Sequence, residues 1–193
     1  MKKAIRIGIV SICCIAIIVG YYYYLSVRSA ATASSNQVEL SEVEYILSKD
    51  FNKDYPATPR AVVKMYNRII TALYAQEYTD KEFEQIADQL RMLLDEDLLG
   101  FNPRDMYIKN LSNEVTEYHN RNKVILNSSV CDTNDVTYAT VKGDECAYVS
   151  AYYFTREASS FARTYEDFCL RKDDSGKWKI LTFKLSEKPN DFK

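Results

Sequence analysis

The sequence predicts an α+β fold with amphipathic helices first and an antiparallel sheet after them, set behind an N-terminal transmembrane helix. Three observations predict it. Ile7 to Val27 is a run of 21 residues without a charge. From Thr58 to Tyr118 apolar side chains recur at three- and four-residue steps. From Val124 onward, segments rich in β-branched and aromatic residues alternate with short polar breaks of hairpin composition.

The apolar run comes first. As a helix rising about 1.5 Å per residue it spans roughly 30 Å, the hydrocarbon thickness of a bilayer. Lys2, Lys3 and Arg6 precede it and Arg28 alone follows closely, which places the N-terminus in the cytoplasm and the rest of the chain outside. Tyr21 to Tyr24 fall where the outer interface would lie. The competing reading is a cleaved signal peptide, with Ala31-Thr32-Ala33 as the small-residue site and a secreted product. An h-region of about 7–15 residues is shorter than this run, so an uncleaved anchor is expected. The expected organisation is a cytoplasmic stub and anchor over 1–28, a flexible linker over 29–40 of the type SAATASSNQ, and one extracytoplasmic domain over 41–193.

Ser41-Glu42-Val43-Glu44 is a capping box that opens a short helix to about Lys49, and Pro56 marks a break before the next element. Thr58-Pro59 starts that helix with a hydroxyl cap and proline in the first turn. Val62, Met65, Tyr66, Ile69 and Leu73 form its apolar face. Thr79 with Glu82 is a second capping box, ahead of Phe83, Ile86, Leu90, Leu93 and Leu94, and Gly100 is read as the stop. Asn102-Pro103 begins a third amphipathic helix with Tyr107, Leu111, Val115 and Tyr118 on one side. Strands are predicted over Val124–Val130, Val136–Val141, Glu145–Thr155, Phe161–Leu170 and Trp178–Leu185, with Lys142-Gly143-Asp144 and Asp173-Asp174-Ser175-Gly176 as hairpin turns.

Composition excludes several functions. With Lys2, Lys3, Arg6 and Arg28 set aside, 21 Lys and Arg face 27 Asp and Glu, a net charge of −6 with no basic stripe, so nucleic acid is not an expected partner. The domain has three glycines, Gly100, Gly143 and Gly176, too few for a glycine-rich phosphate loop. His119 is the single histidine, and its place near a helix end reads as a partly exposed residue favoured by the helix dipole. No metal site or cofactor is expected. Asp95-Glu96-Asp97 reads as a solvated helix end, and Asp132, Asn134 and Asp135 read as turn residues. Cys131, Cys146 and Cys169 allow one internal disulfide in three connectivities, or none if all three are small core residues.

The helical segment TPRAVVKMYNRIITALY followed by strands that end in FARTYEDFCLRKDDSGKWKILTF resembles the NTF2-like superfamily, the cystatin-like α+β cone, over about Ser41 to Leu185. In particular the chain is similar to small membrane-anchored extracytoplasmic members from Gram-positive bacteria. The resemblance implies about three helices packed on a curved antiparallel sheet. It also implies that a pocket, if open, would hold a carboxylate among tyrosines inside the cone. Tyr66, Tyr148, Tyr152, Tyr165 and Asp167 are the candidate ligand-binding set, and no residue is assigned a catalytic role. On the strands, alternation separates Cys146, Tyr148, Ser150, Tyr152, Phe154 and Arg156 from Ala147, Val149, Ala151, Tyr153 and Thr155. The same alternation separates Arg163, Tyr165, Asp167 and Cys169 from Thr164, Glu166, Phe168 and Leu170.

The expected function is that of a non-catalytic, membrane-tethered interaction module. Its partners would be the bilayer through residues 7–27, a second copy of the chain, or another membrane protein. A small-molecule binder is the alternative. The third reading is an isomerase or dehydratase using Asp167 or Glu166 with a tyrosine.

Overall fold

Helix α1 (Glu42–Leu47) opens with its capping box made in both directions: Glu44 N–H donates to Ser41 Oγ at 3.1 Å and Ser41 N–H to Glu44 Oε2 at 2.8 Å. The structure is a computed structural model and describes residues 40–75 and 77–187. Helix α2 (Pro59–Ala75) turns Val62, Tyr66, Ile69 and Leu73 inward, and all four are buried. Helix α3 (Asp80–Arg91) starts at the Thr79–Glu82 capping box. Two further helices come next, α4 (Glu96–Phe101) and α5 (Arg104–Asn120), the latter burying Leu111 and Val115.

The strands are β1 (Lys123–Val130), β2 (Thr137–Val141), β3 (Asp144–Glu157), β4 (Ser160–Lys172) and β5 (Trp178–Ser186). All pairings are antiparallel. The order is β1-β3-β4-β5, and β2 pairs with the first half of β3 while β1 pairs with the second. Lys142 (φ 55°) and Gly143 (φ 102°) make the two-residue turn between β2 and β3, where a left-handed backbone at both positions matches the strand twist. Helix α2 packs on β1, β3 and β5, α5 on α2 and β1, and α1 on α3, so the helices cover one face of the sheet. That inner face carries Ala147, Val149, Ala151 and Tyr153 of β3 with Phe168 and Leu170 of β4, all buried.

Three expectations are corrected. The first concerns fold class. Among the described residues no helix is long and apolar enough to cross a membrane. The longest, α2 and α5, have 17 residues each and are amphipathic, with Arg60, Lys64 and Arg68 on α2. The span read over residues 7–27 lies outside the described residues. The second is the helix expected from Thr79 to Gly100, which breaks after Arg91. Ile180 N–H donates to Leu93 carbonyl and Asp95 N–H donates to Ile180 carbonyl, both at 2.9 Å. The edge of β5 thus takes the backbone groups a continuous helix would need. Gly100 sits inside α4 rather than ending α3.

The third correction is Asp95, which is not solvated: its side chain is 3% exposed. It caps α4 by accepting from Asp97 N–H at 3.0 Å and receives Arg171 of β4. Cys146 and Cys169 hold free thiols on neighbouring strands, and Cys131 is buried in the core.

Candidate functional site

Between the helices and the inner sheet face lies a cavity of 270 Å³. Helical spacing builds one wall: Tyr66, Ile70 and Tyr74 lie four residues apart on α2 and share a face. Tyr107, Glu114 and Tyr118 of α5 form the second wall. Tyr153 of β3 and Glu166 of β4 rise from the sheet, and Phe183 of β5 meets Tyr66 with ring centroids 5.7 Å apart. Five tyrosines and two glutamates line the cavity, and no lysine or arginine does.

Glu166 is on the inner face because it is in phase with Phe168 and Leu170, two and four residues further along β4. Burial pushes its carboxyl up to about 7; the Tyr153 hydroxyl holds it down and the Glu114 charge pushes it further up. Burial likewise raises the phenols of Tyr66, Tyr74 and Tyr153 well above the ordinary tyrosine range, so they stay neutral. Tyr153 O–H donates to Asn67 Oδ1 at 2.6 Å, fixing the ring between α2 and the sheet. Tyr74 and Tyr118 lie 4.2 Å apart at the ring centroids and close one end. The set can attract a positive charge, or exchange a proton near neutral pH.

The five residues that the sequence nominates are not brought together. Tyr66 alone lines this cavity. Tyr148, Tyr152, Tyr165 and Asp167 project from the opposite face of the sheet. Tyr148 and Asp167 border a separate hollow of 580 Å³, where Ser150 Oγ donates to Asp167 at 2.7 Å. Tyr152 and Tyr165 are cross-strand partners with ring centroids 6.1 Å apart. His119 is exposed, with Nε2 3.3 Å from Tyr74 carbonyl, and does not line the cavity. Among the described residues no group of three or more His, Cys, Asp or Glu is placed to hold a metal ion.

Tyr74, Tyr107, Glu114, Tyr118 and Tyr153 line the cavity without being nominated by the sequence, and Glu166 enters from the sequence only with the isomerase or dehydratase reading. One signal points to Tyr153. The face holding Ala147, Val149 and Ala151 is the small, apolar one that can lie beneath a helix, and Tyr153 continues it.

Compared with known families, residues 1–183 match the one described as "Domain of unknown function (DUF6715)". No curated protein matches the chain.

Proposed function

The chain belongs to the DUF6715 family, and on that premise we propose that its domain binds a small organic cation, an amine or quaternary ammonium compound, in the tyrosine-lined cavity. The observation that carries this reading is Glu166, a half-buried carboxyl among five tyrosines in a lining without a basic side chain. A cation inside a ring of phenols is attracted by the negative faces of the rings, and desolvation strengthens that attraction. Glu166 supplies the counter-charge and Glu114 extends it. The volume of 270 Å³ suits a ligand of few heavy atoms. The NTF2-like resemblance supports the same reading, since it implies a carboxylate and tyrosines facing inward.

Calorimetric titration of the full chain with choline tests this, against its neutral carbon isostere 3,3-dimethylbutanol. Choline is expected to bind with an affinity that rises between pH 6 and 8, as Glu166 loses its proton near 7. Glu166→Gln is expected to weaken it about tenfold, comparable to the loss of one charge-assisted contact. Equal binding of the isostere, or no binding of either, overturns the reading.

The outer sheet face favours a second reading, the interaction module expected from the sequence. Phe154 and Phe161 stack there at 5.7 Å, with Phe161 60% exposed, and Tyr148 is also exposed. A second copy of this face would cover these rings. Sedimentation equilibrium is expected to show dimers for the full chain and monomers for Phe161→Glu. A monomeric full chain sinks this reading.

A further inference from the structure

We propose that the groove between α2 and the edge strand β1 is a second binding site, specific for a small molecule that carries a phosphate or carboxylate group. The groove encloses 540 Å³ between one stripe of α2 and residues 126–130 of β1. Arg60, Lys64 and Arg68 recur every four residues along that stripe, so three positive charges line up on one face. Glu42 is the one carboxylate in the lining, and Arg68 already occupies both its oxygens, at 2.7 and 2.9 Å. The groove is therefore positive on a domain whose overall balance is acidic.

Hydrogen-bonding capacity points the same way. Asn67, 2% exposed, borders the groove with its Oδ1 taken by Tyr153 and its Nδ2 without a partner. One turn further, Thr71 Oγ1 is also buried and without a partner. Buried polar groups of this kind are costly unless something completes them. Lys64 makes no hydrogen bond or ion pair among the described residues, and Arg60 is held to Cys131 carbonyl through Nε, with its Nη2 4.0 Å from the exposed Asp132. The amide Nδ2 and the ammonium can only donate, and the Thr71 hydroxyl can. What they lack is an acceptor-rich, negatively charged group.

An added peptide strand fits this edge less well. β1 is bulged between Ile125 and Asn127, which leaves Leu126 out of register and 48% exposed, and a bulged edge is a poor template for a further strand. The ligand read from these observations is a compact oxyanion.

The test uses the full chain labelled with ¹⁵N, titrated with inorganic phosphate or with acetate at constant ionic strength set by sodium chloride. The side-chain amide of Asn67 and the backbone amides of Ser128 and Ser129 report. A saturable shift of Asn67 Nδ2 is expected with phosphate or acetate and not with chloride. Lys64→Gln, at an exposed position that leaves the fold intact, is expected to weaken it about tenfold. Equal shifts with chloride overturn the proposal, as does a response unchanged in Lys64→Gln. Shifts produced only by an extended acidic peptide overturn it in favour of strand addition. None of these outcomes bears on the cation cavity, whose probe carries the opposite charge and whose key side chain, Glu166, lies outside the groove.

Discussion

Arg171→Ala is expected to lower the unfolding free energy by about 3–5 kcal/mol, the cost typical of leaving one member of a buried ion pair without its partner. Arg171 Nε and Nη2 grip the two oxygens of Asp95 at 3.0 and 2.5 Å, and Nη2 also reaches Asp97 at 2.7 Å. The Asp95 side chain is 3% exposed and that of Arg171 21%, so water would replace the guanidinium only in part. What would remain for the carboxylate is the Asp97 N–H of the α4 cap. The pair matters beyond its own energy because it ties β4 to the segment that β5 captures through Leu93, Leu94 and Asp95. Arg171→Lys keeps the charge but not the planar fork, and should recover only part of the loss. Asp95→Asn combined with Arg171→Met should cost less than the two singles added, because it removes the orphaned charge. Urea unfolding of these variants measures all of this. A loss below about 1 kcal/mol in Arg171→Ala would show that the pair is screened like a surface bridge.

Asp95 also shows where sequence reading stops. Its neighbours Glu96 and Asp97 are exposed, and nothing in Asp95-Glu96-Asp97 distinguishes the member that is buried. The distinction comes from Arg171 and Ile180, far along the chain, and local spacing cannot report it. The break between α3 and α4 has the same origin: Leu93 and Leu94 continue the helical period, yet their backbone belongs to the sheet edge. By contrast α2, α5, β1, β3, β4 and β5 follow from periodicity, because each buries a face that its own side chains define, whereas β2 is exposed along its length. For β4 the pattern predicts Phe161–Leu170 and the strand runs Ser160–Lys172; its inner face is fixed by Phe168 and Leu170 alone.

The site lies between these extremes. Glu166 is in phase with Phe168 and Leu170, so its inward direction is legible two residues away. The candidate set instead joins Asp167 to Tyr148, Tyr152 and Tyr165, which share the outer face. Tyr66 is the member whose helical phase points inward. That Tyr107, Glu114 and Tyr118 of α5 face Glu166 depends on how α5 packs against α2 and β1, a tertiary fact with no local signature.

Replacing Glu166 by Gln is expected to stabilise the domain at high pH and to leave it unchanged in acid. Burial raises the Glu166 carboxyl from an ordinary 4.5 to about 7, so the folded state holds its proton where the unfolded chain has lost it. Below about 4.5 both states are protonated and the residue costs nothing. As pH climbs toward 7 the unfolded state is favoured progressively, and above 7 the penalty is complete. A shift of this size corresponds to roughly 3 kcal/mol, and partial solvent access to the carboxyl reduces the expected gain to about 2 kcal/mol. Gln removes the titration and keeps the shape. The difference between Glu166→Gln and the unaltered chain should therefore grow from near zero at pH 4.5 to its full value by pH 8, and stay flat beyond. Thermal unfolding across that range measures it. On the proposed reading, a bound cation offsets this penalty in the pH range where the carboxylate forms. Choline should accordingly raise the melting temperature of the unaltered chain more at pH 8 than at pH 6, and raise that of Glu166→Gln little at either. A variant no more stable than the unaltered chain at pH 8 would place Glu166 in water, and the cation reading would fall with it.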